Sequence, residues 1–246
     1  MFSYKNIYSV KKSLSCLPGF TLAETLITIV IVGIIAALTV PNLIVHYQKQ
    51  ATVTRLKKAY SALAQAVTKS QIKNGHVSTW GFSLTSYGVY EKYLSDFIQL
   101  SQSTVGMQRS NNVNYTELNG TNNITLFYND SKVINLADGT QLIIYNGSHN
   151  STIGLTRKSF AVDINGYKKP NKMGKDVFVF VLTKNKGLIP HFFDDGDSSD
   201  IPMKSREQII NGPSSYSYQC AKGKRGLWCS ALIMKDGWQI SDDYPW

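Results

Sequence analysis

The chain has 246 residues, with 26 Lys and Arg against 16 Asp and Glu, giving a formal net charge of +10. Hydrophobic residues make up 43% and aromatics 11%, apolar mass enough for a packed core, which excludes a wholly disordered chain. Charged residues reach only 17%, under the roughly 25% of an average soluble protein, and the length suits one domain or a segment plus one domain.

The chain opens with Lys5, Lys11 and Lys12 and no acid before Gly19. From Phe20 to Val40 it then runs FTLAETLITIVIVGIIAALTV, carries one charge, Glu24, and stops at Pro41. At 1.5 Å per residue a helix of this length spans roughly 30 Å, the thickness of a bilayer hydrocarbon core. A buried core helix rarely holds an apolar run beyond ~18 residues, so a membrane span is expected. The positive-inside rule leaves residues 1–19 in the cytoplasm and everything after Pro41 beyond the membrane. A secretory signal is the competitor. Its apolar region is usually shorter, ~7–15 residues, and a small-x-small cleavage site should follow it, which is missing here. An acid near the start of the run is also costly in lipid unless it has a task.

GFTLAETLI, beginning at Gly19, resembles the type IV pilin superfamily, the pilins and the pseudopilins of type II secretion. The resemblance implies that a prepilin peptidase cuts after Gly19 on the cytoplasmic side and that the new amine of Phe20 is methylated. It also implies that Glu24, then the fifth residue, acts in assembly, and that Gly33 and Pro41 weaken or kink the N-terminal helix. The match is specific over residues 19–41. The leader is long for the family, with Leu17-Pro18 rather than a lysine before Gly19, and Ala23 replaces the branched residue usual in major pilins. That points to a minor or pseudopilin-like member. The residues alone say something compatible: nothing else in 20–40 ionises, so Glu24 needs the freed amine of its own chain or of a neighbour in a fibre. The alternative is a hydrated carboxylate at headgroup level.

Beyond Pro41, Val53, Leu56, Tyr60, Leu63 and Val67 recur at helical spacing, and Asn74-Gly75 is a plausible stop. Pro41 is expected to kink or locally melt the helix rather than end it. Tyr90, Tyr93, Leu94, Phe97 and Ile98 suggest one short amphipathic helix, and residues 101–123 read as polar loop. ITLFYNDSKVINLADGTQLIIYN reads as three short strands broken at Asn129-Asp130 and Asp138-Gly139. SFAVDI and DVFVFVLT give two more strands, and WCSALIM with GWQIS another pair. The expected fold is α+β, with an antiparallel sheet covering the apolar face of a long N-terminal helix, which is also the pilin-like fold. The expected organisation is a leader over 1–19, a transmembrane helix segment over 20–41 and an extracytoplasmic domain over 42–246.

Cys16 belongs to the leader, which leaves Cys220 and Cys229 as an even pair beyond the membrane. An oxidising compartment favours a disulfide there, worth roughly 2–3 kcal/mol through loop closure. Zinc is a poor rival, because no His adjoins the two thiols at ligand spacing. The acidic FDDGDSSD from Phe193 and the segment VDINGYKKPNKMGKDVF from Val162 are oxygen-rich. Both read as solvated turns, with Ca²⁺ as the alternative occupant; neither has EF-hand spacing. The second segment is similar to one common in pseudopilin-like proteins. His46, His76, His149 and His191 sit in unrelated contexts, and no GxSxG, HExxH or phosphate loop occurs, so an enzyme is not expected, nor is a resident cofactor or metal.

Lys222, Lys224 and Arg225 crowd the loop between the cysteines, flanked by Tyr216, Tyr218 and Trp228. Basic groups interleaved with aromatics can hold nucleic acid, and minor pilins of DNA-uptake systems resemble this arrangement. A solvated loop is the plainer reading, and loss of the three leader lysines lowers the net charge to +7. The expected function is thus a structural subunit of a type IV pilus or type II secretion-like pseudopilus, with DNA binding by a minor pilin as the alternative. Its expected partners are the prepilin peptidase, other subunits of the fibre and the inner-membrane assembly machinery. Its expected place is the bacterial inner membrane, with the mature domain periplasmic or extracellular.

Overall fold

A Thr-x-x-Glu start and an uninterrupted supply of helix-compatible residues produce a single helix, α1, over Leu22–Asn74. In this computed structural model, which describes residues 19–99, 108–109, 115–121, 132–145, 156–194, 197 and 200–246, α1 runs through both Gly33 and Pro41 without a break in the helix. The expected local melting at Pro41 is therefore not observed. The helix ends at the expected stop: Gly75 takes φ +81°, the left-handed turn that closes helices, with Lys73 in the last turn. The chain divides into two compact units, Met1–His46 and Tyr47–Trp246.

In the second unit, α1 buries Leu56, Ala59, Leu63, Ala66, Val67 and Ser70, a stripe at steps of three and four. Val53 and Tyr60, also expected on the stripe, are partly buried against the same core. After Gly75 a short helical segment follows. Helix α2 (Ser86–Val89) is capped by Thr85, whose hydroxyl accepts from Gly88 N, and continues into a π turn at Tyr90–Leu94 and a 3₁₀ turn at Ser95–Phe97. The short helix read from Tyr90, Tyr93, Leu94, Phe97 and Ile98 is thus present as two successive helical turns that end before Ile98, with the first three residues buried and the last two half-buried.

The sheet is an antiparallel meander in the order β1 to β6. The two-residue β1 (Gln108–Arg109) pairs with β2 (Lys132–Asn135), followed by β3 (Gln141–Tyr145), β4 (Arg157–Asp163), β5 (Val177–Thr183) and β6 (Gly187–Pro190). Every residue of β4 and β5 is buried, so both faces of the central strands are covered. Register sets Ile144, Phe160 and Phe180 side by side, and the Phe180 ring lies 5.3 Å from that of Tyr60, which identifies the face packed on α1. Tyr60 also donates to the carbonyl of Leu188 on the edge strand β6, 3.2 Å away.

Four of the expected strands are present as β2 to β5; the one over ITLFY lies outside the described residues. The strand expectation at WCSALIM is corrected. Cys229–Lys235 forms a helix, here α4, with α3 at Arg206–Asn211, and residues 237–241 are turn and irregular chain. A fully buried apolar run carries no period that separates helix from strand, and Ala, Leu and Met at its centre favour helix. Helix α4 is fixed to β5 by Ser230, whose hydroxyl donates to the Val179 carbonyl (2.6 Å). Strand β6 was not expected from the sequence, because GLIP is too short to show alternation.

The stripe on α1 yields a contrast that chemical denaturation of the full chain in detergent can measure. Leu56→Ala should cost about 2–5 kcal/mol, the range for emptying a fully buried leucine site. Ile72→Ala, at a position 84% exposed on the same helix, should stay within about 0.5 kcal/mol of wild type.

Candidate functional site

In the N-terminal unit, α1 is long and apolar enough to cross a membrane. Its large apolar side chains from Leu22 to Val45 are exposed, and a Cβ on Gly33 would meet nothing within 4 Å. The hydroxyls of Thr25, Thr28 and Thr39 each donate to a carbonyl one turn back, at 2.8–2.9 Å, so the polar groups of the run are satisfied inside the helix. Glu24 closes a capping box with Thr21. The Thr21 backbone N–H donates to Glu24 Oε2 at 2.8 Å, Thr21 Oγ1 donates to the same oxygen at 2.9 Å, and Glu24 N donates back to Thr21 Oγ1 at 3.3 Å. This local partner was missed in the sequence, although T-x-x-E spells it out. Residues 1–18, which include Cys16 and all but the last residue of the expected leader, lie outside the described residues.

Cys220 and Cys229 are joined as a disulfide with Cα atoms 4.8 Å apart. The loop they close is laced to its surroundings: Cys220 N donates to Ile209 O, Arg225 N to Ser217 O, and Trp228 N to Tyr218 O. This lacing draws part of the basic-aromatic constellation read from the sequence into the fold, while the Tyr216 and Tyr218 rings stack with centroids 5.5 Å apart. Trp228 and Tyr218 are buried, with the Trp228 indole N–H donating to Phe193 O at 3.0 Å. Arg225 Nε donates to Glu117 Oε1 at 2.6 Å, and its guanidinium lies 5.1 Å from the Tyr218 ring centroid. Of the three basic residues only Lys222 is fully exposed, with Lys224 intermediate and Tyr216 the exposed aromatic.

The VDINGYKKPNKMGKDVF segment, from the end of β4 to the start of β5, holds a second constellation. Asp163 and Asp176, both buried, stand at the two ends of its loop. Asp176 accepts from Asn171 N at 2.7 Å, from Lys172 N, and from Asn165 Nδ2 at 3.2 Å. Asp163 Oδ1 accepts from Asn165 N at 3.1 Å, while its Oδ2 faces the Tyr115 hydroxyl at 3.2 Å. Burial, with the Asp176 charge adding to it, pushes the Asp163 carboxyl up to about 7, and burial raises Asp176 as well. Thr116 is stitched to the same loop through Asn171 O and Met173 N. Gly174, at φ +75°, packs so close that a Cβ there would lie 2.9 Å from Cys229 Sγ. Between this loop and the outer half of α1 lies a cavity of about 300 Å³, bordered by Tyr47, Arg55, Asn165, Lys175, Asp176 and Trp246.

The acidic run near 193–200 is used structurally where it is described. Asp194 accepts from Ser214 Oγ at 2.6 Å, and Arg157 donates to the carbonyls of Asp194 and Asp197. Among the described residues, no three His, Cys, Asp or Glu side chains cluster in a way that could hold a metal ion. His191 is buried beside Arg157, and desolvation drives its imidazole down to about 3, so it stays neutral near physiological pH.

Residues 42–246 match a family of unknown function (DUF6613), and the chain belongs to that family. The match begins directly after Pro41 and leaves out the apolar run. No curated protein and no solved structure matches the chain.

The Glu117–Arg225 contact separates the basic residues by experiment. Arg225→Ala strands a buried carboxylate and should lower unfolding stability by roughly 2–4 kcal/mol, below the full value of a dry pair because the guanidinium keeps some solvent. Lys222→Ala with Lys224→Ala should change stability by less than about 0.5 kcal/mol. Thiol labelling of the denatured, unreduced protein should miss Cys220 and Cys229; labelling of both would contradict the bridge.

Proposed function

We propose that this DUF6613 protein is a pilin-like structural subunit, anchored by the N-terminal half of α1, cleaved between Gly19 and Phe20, methylated there, and assembled into a fibre through that helix. The observation that carries the reading is the N-terminal unit itself: an apolar helix with unpartnered side chains, one carboxylate near its start and internally satisfied hydroxyls. Such a surface is stable only in lipid or against other apolar helices. In the membrane it serves as the anchor; in a fibre, neighbouring copies take the place of lipid. The prepilin peptidase and the inner-membrane assembly machinery follow from the resemblance of residues 19–41, and the domain from residue 42 onward then lies outside the cytoplasm.

Glu24 has a defined part in this scheme. Its capping box orders the first turn of α1 and holds the carboxylate close to the residue that becomes the N-terminus. Once the peptide bond before Phe20 is cut, the new ammonium lies about one helical turn from Glu24 in the same chain. In a packed fibre a neighbour's ammonium can take that place and fix axial register.

The intact mass and N-terminal peptide of the mature protein provide the first test: an N-terminus at Phe20 with one added methyl group is expected, and an intact leader in the assembled form contradicts the proposal. Glu24→Gln provides the second, because glutamine supports the same capping box while lacking the charge. The variant should accumulate in the membrane at wild-type levels and fail to enter fibres alongside wild-type protein. Normal incorporation would leave Glu24 as a cap and headgroup residue only.

A further inference from the structure

Two buried carboxylates at the stems of one loop cannot both carry charge cheaply, and the hydrogen-bond pattern divides the roles between them. Asp176 is built as the anion: two backbone N–H groups and the Asn165 amide all point at it. Asp163 also accepts from backbone N–H groups, those of Asn165 (3.1 Å, on Oδ1) and Gly166, and the difference lies at its other oxygen. Its Oδ2 and the Oε1 of Gln141 both lie 3.2 Å from the single hydroxyl of Tyr115, which has only one proton to give. Gln141 Nε2 donates to Asn135 Oδ1 at 2.8 Å, which turns Gln141 Oε1 towards Tyr115. That buried carbonyl oxygen needs the Tyr115 proton. The Tyr115 oxygen then offers Asp163 only a lone pair, and Asp163 Oδ2 must bring the hydrogen.

We propose that Asp163 is held as a neutral carboxylic acid in the native domain and that its proton is a clasp, closing the loop between β4 and β5 and opening as the surroundings turn alkaline. The chain then reads in one direction, Asp163 O–H to Tyr115 O–H to Gln141 Oε1, with Gln141 Nε2 continuing to Asn135. The reverse direction requires the amides of both Asn135 and Gln141 to be turned over. The upward displacement of the Asp163 carboxyl to about 7 agrees with the assignment. Among the described residues, no basic side chain is ion-paired with Asp163. Burial raises the Tyr115 phenol and keeps it protonated. Glu117, next along the stitched strand, is paired with Arg225, while Arg55 and Lys175 border the cavity on the Asp176 side. Ionising Asp163 places a second negative charge beside Asp176 and removes the donor to Tyr115. The loop that would loosen forms one wall of that cavity, so the clasp sets the shape of the surface between the loop and α1 according to the pH outside.

The sign of the effect makes the test decisive. An acid whose folded value lies above its unfolded value stabilises the fold most at low pH, and that contribution is lost as pH rises towards the folded value. Unfolding of the full chain in detergent micelles should be followed at pH 5, 6, 7 and 8 for wild type and for Asp163→Asn, whose amide can donate to Tyr115 as the acid does. Relative to the variant, the wild-type unfolding constant should rise about tenfold per pH unit between pH 5 and 7 and then level off. A flat ratio, or a wild type that gains stability with rising pH, overturns the proposal. Carboxyl ¹³C titration of wild type covers the case in which the variant does not fold: an Asp163 midpoint above 6 is expected, and one in the ordinary carboxylate range refutes the neutral acid. For the opening itself, tryptic cleavage at Lys168 and Lys172 should be several-fold faster in wild type than in Asp163→Asn at pH 8 and equal at pH 6. Equal rates at both pH values would remove the clasp.

Discussion

The packing of Tyr60 and Leu56 against the sheet is the contact on which the rest of the second unit is arranged. A helix stripe of Leu56, Ala59, Leu63 and Val67 can be buried only if something flat and apolar lies on it, and the meander supplies that surface through Phe160, Phe180 and Ile144. Because β4 and β5 are buried on both faces, the sheet in turn needs a second cover, and the chain provides it late, with the segment from His191 to α4. The disulfide, the Ser230 hydrogen bond to β5 and the Trp228 indole bond to Phe193 secure that late segment. Helix and meander are local in sequence; the closing elements are not.

That difference explains which parts of the molecule could be read from the residues. The helix stripe, the Asn74-Gly75 stop and strands β2 to β5 each announce themselves within a window of ten or so residues. The short helix at Cys229–Lys235 does not, because burial on all sides erases periodicity, and β6 is too brief to display any. The polar pairs were hidden for another reason. Glu117 and Arg225 are 108 positions apart, and Tyr115 and Asp163 are 48 apart, so only the fold brings them together. The Asp163–Asn165–Gly166 stretch stands out in the sequence as oxygen-rich, but the feature that decides its chemistry, burial against Tyr115 and Gln141, belongs to tertiary structure. Glu24 is the opposite case. Its capping partner sits three residues away and was legible, whereas the cost of a carboxylate in lipid directed attention to the freed amine of Phe20, in the same chain or a neighbour, or to headgroup hydration.

The two polar arrangements at Glu24 and at Glu117 fix different parts of the chain. The Thr21–Glu24 box orders the first turn of α1, ahead of its exposed apolar run. The Glu117–Arg225 pair welds the disulfide loop to the segment that also stitches the β4–β5 loop, so two irregular stretches share one support. Gly174 brings that loop against Cys229 with no room for a side chain. Among the described residues, the irregular chain around Glu117, Gly174 and Arg225 is therefore held by specific contacts.

The hydroxyl of Tyr60 on the Leu188 carbonyl has a consequence for how copies can meet. Residues 179 and 191 already share a ladder bond, so the alternation along β6 turns the polar groups of Leu188 away from β5 and towards the sheet's open margin. An open margin invites another chain to add a strand, the usual route to uncontrolled aggregation when identical domains are crowded together. Here the carbonyl that would receive the newcomer is already occupied, β6 is only four residues long, and it ends on Pro190, which has no N–H to offer. Crowded copies are thus discouraged from zipping sheet to sheet along β6.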